Sequence, residues 1–328
     1  MHKAIRNLLL ILYIVPYWGY AQQFLHREFG VTEGLENPYV YALAQDVNRF
    51  IWIGTAEGLF QYDGKKFSPY YTKNGLASNF IYSICVDSRN NKWLGHDDGS
   101  LTLFNDKAFY KRVSDTIINS RINKIIQARN QKVLVCTQSN GIFLVDELFK
   151  AVSISFFDGD EIIWDVAEIE GGHLIVCSDQ GVYILPFKNN EYQNKIAISE
   201  FTDLSALSVS RAKNLGADYI IGTEYDGIFT LQIDSKFNFK VKKLAETNAT
   251  VGDQLYFAHL VDKNELWVSR HTNGVTKSTV KNQIATAQKS YWQENFKNYY
   301  IKSFLLDAEG KYWPVSYTHL TLPTNREV

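Results

Sequence analysis

The chain has no run of lysines or arginines, only three cysteines, and no apolar stretch long enough to cross a bilayer. The first absence speaks against a nucleic-acid partner. Basic residues number 34 against 35 acidic ones, and phosphate binding needs concentrated positive charge. Three cysteines cannot all pair. Cys136 and Cys177 stand at matching places, in VLVCT and LIVCS, while Cys85 lies in YSICVD. They read as small buried hydrophobes, with a disulfide or a reactive thiol as the alternative. No residues have metal-ligand spacing, and no cofactor motif is present. The apolar run Leu8 to Val15 is broken by Pro16 and falls short of the ~20 residues a membrane span needs. Lys3 and Arg6 precede it and Gly19-Tyr20-Ala21 follows. Residues 1–21 therefore read as a signal peptide cleaved before Gln22, with a membrane anchor as the alternative.

Apolar residues are plentiful, at 45% of 328 residues with 14% aromatic, so the chain can build a large core. Their distribution is periodic. Gly34-Leu35, then Val40 to Asp46, Ile51-Trp52-Ile53-Gly54-Thr55 and Gly58-Leu59-Phe60 form one copy. Gly75-Leu76, Ile81 to Asp87, Lys92-Trp93-Leu94-Gly95-His96 and Gly99-Ser100-Leu101 form the next, and the Asp-to-Trp interval is six residues in both. Weaker copies carry Gly141, Gly181, Gly227 and Gly274, so the marker glycine recurs every 40 to 47 residues. The segments are short, alternating and β-branched or aromatic, with turn clusters between them. A helical array would need apolar residues at 3.6 spacing, which is absent.

Each copy thus predicts four antiparallel strands, with VYALAQD innermost, then IWIGT, GLFQYD and KFSPY. One such sheet cannot bury both faces, but radial stacking does so. The expected fold is all-β: a β-propeller, seven-bladed with four-stranded antiparallel blades, the last blade incomplete. Trp52, Trp93 and Trp267 share a strand position and read as packing between blades, while Gly58 and its equivalents read as turns with positive φ. Phe24 to Phe29 resembles an outer strand without a blade, which in a closed ring would complete the last one. The propeller is placed at 22–313. The segment 314–328 begins with Pro314, unfavourable inside a strand. It looks like translated sequencing-adapter read-through, the alternative being a divergent native terminus.

These residues resemble the two-component regulator propeller family, typified by GL-x-x-x-x-V and D-x-x-G-x-x-W-I-G-T-x-x-G-L. The likeness is close over 32–104, recognisable over 117–275, and resumes at Ile301 to Trp313, while His96 replaces the expected Thr. The resemblance implies the periplasmic sensory region of a membrane-bound histidine kinase or hybrid regulator from a Bacteroidetes-like bacterium. It implies an oligosaccharide or other small-molecule ligand, and a homodimer in the full-length parent. The membrane would be reached only through later segments, and the chain itself would not be an enzyme. An adhesion or protein-binding propeller without a kinase is the other class.

In a four-stranded blade, the loop entering the inner strand and the loop between strands two and three share one face. The first set supplies Asn37, Tyr39, Asn79, Arg121 and Trp164, along with Glu36, Phe80 and Asn123. The second supplies Glu57, His96, Asp98, Asn140, Asp179, Glu224, Asp226 and His271, along with Asp97, Tyr225 and Asn273. Carboxylates, amides and aromatics suit sugar hydroxyls and ring faces, although Asn and Asp also serve ordinary turns. Glu57 with Asp98, or Glu224 with Asp226, could be read as a glycosidase pair, but acidic pairs in turns are too common to support it. Asp46 and Asp87 open segments that could suggest calcium loops, for which Asx turns are the simpler account.

Overall fold

The computed structural model describes residues 26–316 and 320–323, apart from 37–38, 113–116, 129–130, 155–156, 158–159, 213–217, 247–252, 262–263, 272–273, 282–283 and 288–300. The expected signal peptide lies outside the described residues.

Successive side chains of a strand point to opposite faces, so a strand buried along its whole length must be covered on both sides. Ile51–Thr55, Lys92–His96, Val133–Thr137, Leu174–Ser178 and Tyr219–Thr223 are all of this kind. Each is the second strand of a four-stranded antiparallel sheet. The first sheet runs Val40–Gln45, Ile51–Thr55, Gly58–Tyr62 and Phe67–Tyr70, the four strands that the sequence predicts. The meander recurs from the inner strands Ile81–Val86, Ile122–Gln127, Ile163–Glu168, Ala206–Arg211, Leu255–Leu260 and Ile301–Leu306. Each inner strand packs beside the next, and Ile301–Leu306 lies against Val40–Gln45. The sheets, hereafter blades 1 to 7, therefore close a ring. Blade 6 carries a fifth strand, Ala245–Glu246, parallel to its outer edge.

Closure uses both ends of the chain. Blade 7 is built from Ile301–Leu306, Tyr312–Ser316, Leu320–Pro323 and, outermost, the N-terminal strand His26–Phe29. His26 pairs with Pro323 and Phe29 with Leu320, so the unpaired N-terminal strand takes the place predicted for it. The third strand is the weakly held one, joined to the second at Val315 and Leu320. From the segment set apart as a tail, Pro314 stands opposite Phe304 in the ladder, and Val315 is buried.

The core is divided. The buried apolar residues fall into clusters, each filling the gap between two neighbouring blades. Trp52 packs with Leu76, Ile81 and Leu94 between blades 1 and 2, Trp93 with Ile122 and Val135 between blades 2 and 3, and Trp267 with Ile301 between blades 6 and 7. Trp313 joins Phe29, Val40 and Ile53 across the closure, its ring stacked on Phe29 at 6.1 Å. The tryptophans are packing residues, as expected. Cys136 and Cys177 are free and fully buried, and burial raises both thiols above their ordinary range.

The six-residue Asp-to-Trp interval has a chemical cause. Asp87 Oδ1 accepts from the Arg89 and Asn91 amides at 2.9 and 2.8 Å, and Oδ2 accepts from Trp93 Nε1 at 3.1 Å. Asp46 does the same with Asn48, Phe50 and Trp52, and Asp307 with Glu309, Lys311 and Trp313. One carboxylate thereby folds the turn and satisfies the buried indole it must accompany. The carboxylates read as candidate calcium ligands are Asx turns. Between blades 1 and 2 the fully buried Lys92 joins Asp46 at 3.3 Å and Asp106 at 2.5 Å, with its ammonium 5.2 Å from the Trp52 ring centroid.

Two glycines show what the repeat demands. Gly99 has φ +85°, where an added Cβ would also meet the Ile118 carbonyl at 2.9 Å. Gly95 has ordinary dihedrals, but a Cβ there would come within 2.5 Å of Ile122 on the next blade. Replacing Asp87 by alanine is expected to lower stability by about 1–3 kcal/mol through the orphaned indole and amides, read as a lower urea midpoint. Gly95→Ala should cost a similar ~1–3 kcal/mol by overpacking the gap. An unchanged midpoint in either variant would contradict these assignments.

Candidate functional site

The two loop sets expected to share a face do so, and a repeated backbone bond shows why. The amides of Ala56, Asp97, Gln138, Asp179, Glu224 and His271 follow the second strands of blades 1 to 6. They donate to the carbonyls of Tyr39, Phe80, Arg121, Ile162, Ser205 and Gln254, each preceding an inner strand, at 2.8 to 3.2 Å. Both loops are thus pinned together at one end of each of these blades.

Immediately below that bond every inner strand carries a β-bulge. The register against the second strand shifts at residue 41, and again at 82, 123, 164, 207, 256 and 302. A bulge leaves one residue outside the ladder and re-aims its side chain. Tyr41, Tyr82, Asn123, Trp164, Leu207 and Tyr256 accordingly all line a cavity of about 440 Å³ along the ring axis. That volume is in the range of small-molecule sites. Tyr41 contacts Phe80 at 4.8 Å and Tyr82 at 5.5 Å between ring centroids, and the Arg121 guanidinium sits 4.6 Å above Tyr82 while its Nε donates to Asp97.

Deeper in, Lys124 Nζ lies 2.9 Å from Asp165 Oδ1, and Asp165 also accepts from the Val166 and Val209 amides. Asp165 raises the Lys124 ammonium above its ordinary value, outweighing the opposing effect of burial. His259 meets solvent inside the channel although protein surrounds it. Burial, and then Lys124, lower its imidazole, so it is neutral at pH 7. Between blades 5 and 6 Gln254 Nε2 donates to Glu224 Oε1 at 2.7 Å.

The candidates named from sequence divide into three groups. Trp164 and Glu224 line the channel. Tyr39, Glu57, Asp98, Asp226 and His271 are exposed at the loop face, with His271 Nδ1 2.9 Å from the Tyr256 hydroxyl and Arg121 half-buried beside them. Several are occupied by turns. Asn79 Oδ1 accepts from the Thr72 amide, Asp98 Oδ1 from Ser100, Asn140 Oδ1 from the Ser120 hydroxyl, and Asp179 Oδ1 from Ile162. Asn37 lies outside the described residues. Of the other loop residues, Glu36 accepts from the Tyr71 hydroxyl, pushing that phenol up to about 12.

His96 is a correction. It stands fully buried at the end of its strand, with Nδ1 3.1 Å from the Phe80 carbonyl and Nε2 2.8 Å from Thr102 Oγ1. It fills the place where Thr55, Thr137 and Thr223 bond the carbonyl of their marker glycine. No ring nitrogen is left for a ligand.

The sequence reading missed Tyr41, Tyr82, Tyr256, Lys124 and Asp165. The available signal was the triplet opening each inner strand: V-Y-A, I-Y-S, I-N-K, I-W-D, A-L-S, L-Y-F and I-K-S. A large or polar residue follows a buried aliphatic one at the same place every time.

A closed ring of radial four-stranded sheets around an axial channel defines a β-propeller. Residues 34–57 match the family model described as two component regulator propeller, so the chain carries a repeat of the family that its sequence resembles. No curated protein matches the sequence. Among solved structures, the chain is similar to the extracellular domain of BT3049, assigned to a hybrid two component system of B. thetaiotaomicron. The TM-score is 0.71 at 17% identity, over 92% of this chain and 42% of that one. The corresponding domain of BT4673 from the same organism gives 0.69 at 18%, over 94% and 40%. Virginiamycin B lyase from Staphylococcus aureus gives 0.72 at 12%, over 93% and 100%. At these identities the likeness shows the fold. The chain spans about 40% of the length of the two ectodomains.

Burial pushes the His96 imidazole down to about 4, far below its ordinary 6.5. The unfolded chain then binds the extra proton first, so this residue's contribution to stability is present above pH 6.5 and lost as pH falls towards 4. His259 acts in the same direction. His96→Thr should flatten the acid limb of a stability–pH curve between about 6.5 and 4, and an unchanged slope would refute the assignment.

Proposed function

We propose that this chain is the extracytoplasmic, ligand-sensing part of a membrane-bound two-component sensor, and that its ligand is an oligosaccharide or a related small molecule. The carrying observation is the set of bulges that turns Tyr41, Tyr82, Trp164 and Tyr256 into one channel mouth. Aromatic faces beside amides and carboxylates are what sugar rings and hydroxyls require. The two component regulator propeller repeat and the likeness to two Bacteroides ectodomains support placing this site outside the cytoplasm. Among the described residues no helix is long and apolar enough to cross a membrane. Signalling to a kinase would therefore need segments beyond these. Ligand binding would bias the packing of paired chains and so the kinase state, to the extent that the ligand prefers one arrangement.

The test is calorimetric titration of the purified chain with neutral di- to hexasaccharides of glucose, xylose, mannose and galactose, and with galacturonic acid oligomers of matching length. At least one is expected to bind, and Tyr82→Ala and Tyr256→Ala should each weaken it about tenfold, on the order of 1.4 kcal/mol. Failure of every oligosaccharide would overturn the ligand class. A stop codon directly after the last blade in the parent gene would overturn the link to a kinase.

A further inference from the structure

Two polar atoms in the channel wall are buried and hold no hydrogen bond: Asn123 Oδ1 and Trp164 Nε1. They belong to neighbouring blades and occupy equivalent bulge positions, and both side chains line the axial cavity. Their roles are fixed. Asn123 Nδ2 donates to the Ile163 carbonyl at 3.0 Å, so its amide cannot turn over, and Oδ1 is the free acceptor. Trp164 Nε1 can only donate. By contrast Trp52, Trp93, Trp267 and Trp313 all give their indole proton to a carboxylate. Of the five tryptophans among the described residues, four have their indole satisfied and one is unmet, on the blade next to an unmet acceptor, and the reason is to be sought in what enters the channel.

The pair selects by chemistry. A carboxylate or phosphate could accept from Trp164 but would face the Asn123 oxygen with another acceptor. An ammonium could serve Asn123 but would leave the indole unmet. A hydroxyl both accepts and donates, and meets both. The surrounding charge points the same way. Lys124 is neutralised by Asp165, Arg121 is paired with Asp97, and Glu224 adds a carboxylate to the wall. Among the described side chains, nothing gives the channel a net positive charge for an anion.

We propose that the axial channel is a subsite for one uncharged sugar unit, a hydroxyl of which accepts from Trp164 Nε1 and donates to Asn123 Oδ1. The proposal rests on the ligand-sensing reading and adds to it the charge class and the anchoring atoms. It places the recognised unit on the ring axis rather than on the exposed loops.

The same oligosaccharide series tests it with Trp164→Phe, which keeps a ring and removes the donor, and with Asn123→Leu, which removes the acceptor. The tightest ligand is expected to be a neutral oligosaccharide, and each substitution should weaken it about 3- to 10-fold. The thermal midpoint of Trp164→Phe should hold or rise, because it deletes an unmet buried donor, whereas Asn123→Leu also removes the Nδ2 bond to the Ile163 carbonyl and should lower it. A uronic-acid oligomer as the tightest ligand overturns the proposal. So does a neutral ligand whose affinity is unmoved by both variants but lost in Tyr82→Ala, an outcome that leaves the sensing reading standing. A lower midpoint in Trp164→Phe overturns it as well, since the indole would then bond within the fold. Binding by none of the series removes both.

Discussion

Each blade of this protein has two apolar faces and no interior of its own, so the molecule has no core until the ring is shut. Everything else follows from that condition. The second strands are buried from end to end because a neighbour covers each side. The tryptophans stand in the gaps because only the gaps need filling. Lys92 bridges carboxylates of two blades because a polar group there must find its partner across the seam. The outer strand His26–Phe29 lies more than 290 residues from its partner in sequence, yet closes the last blade. Loop-closure entropy on that scale is offset only when all the gaps form together.

Much of this was legible because it is written in short intervals. The six residues from Asp46 to Trp52, repeated at Asp87 and Asp307, encode a turn, an indole acceptor and a strand at once. The marker glycines encode positive φ, and all of them adopt it. The N-terminal strand was readable as an outer strand lacking a blade. The site was legible only in part. Loop positions can be inferred from a repeat, and the pinned loops of blades 1 to 6 bear that out. Whether a loop side chain is free is decided by its neighbours. Asn79, Asp98, Asn140 and Asp179 spend their carbonyl or carboxylate oxygens on backbone or hydroxyl donors close by. His96 was read as a loop residue because its role as a buried substitute for threonine depends on Thr102, a contact between strands.

The bulges were invisible for a related reason. A strand's alternation can be read from one segment, but a register shift belongs to a pair of strands. Tyr41 and Tyr82 sit among apolar residues at the start of an inner strand, where an aromatic is unremarkable as core. The extra residue turns them towards the axis instead. The division between gap and channel therefore runs through the inner strands of blades 1 to 6: aliphatic side chains such as Ile81 and Ile122 go to the gap, and the next residue goes to the channel.

The bulge has one more consequence. A residue standing outside the ladder is not chosen by its partners, and the seven positions hold tyrosine, asparagine, tryptophan, leucine and lysine on one unchanged backbone pattern. They work like the pins of a tumbler lock, each cut to its own height in an identical barrel. In the proposed sensor, a lineage carrying this architecture can recut the pins one at a time and acquire a new key without having to fold a new protein.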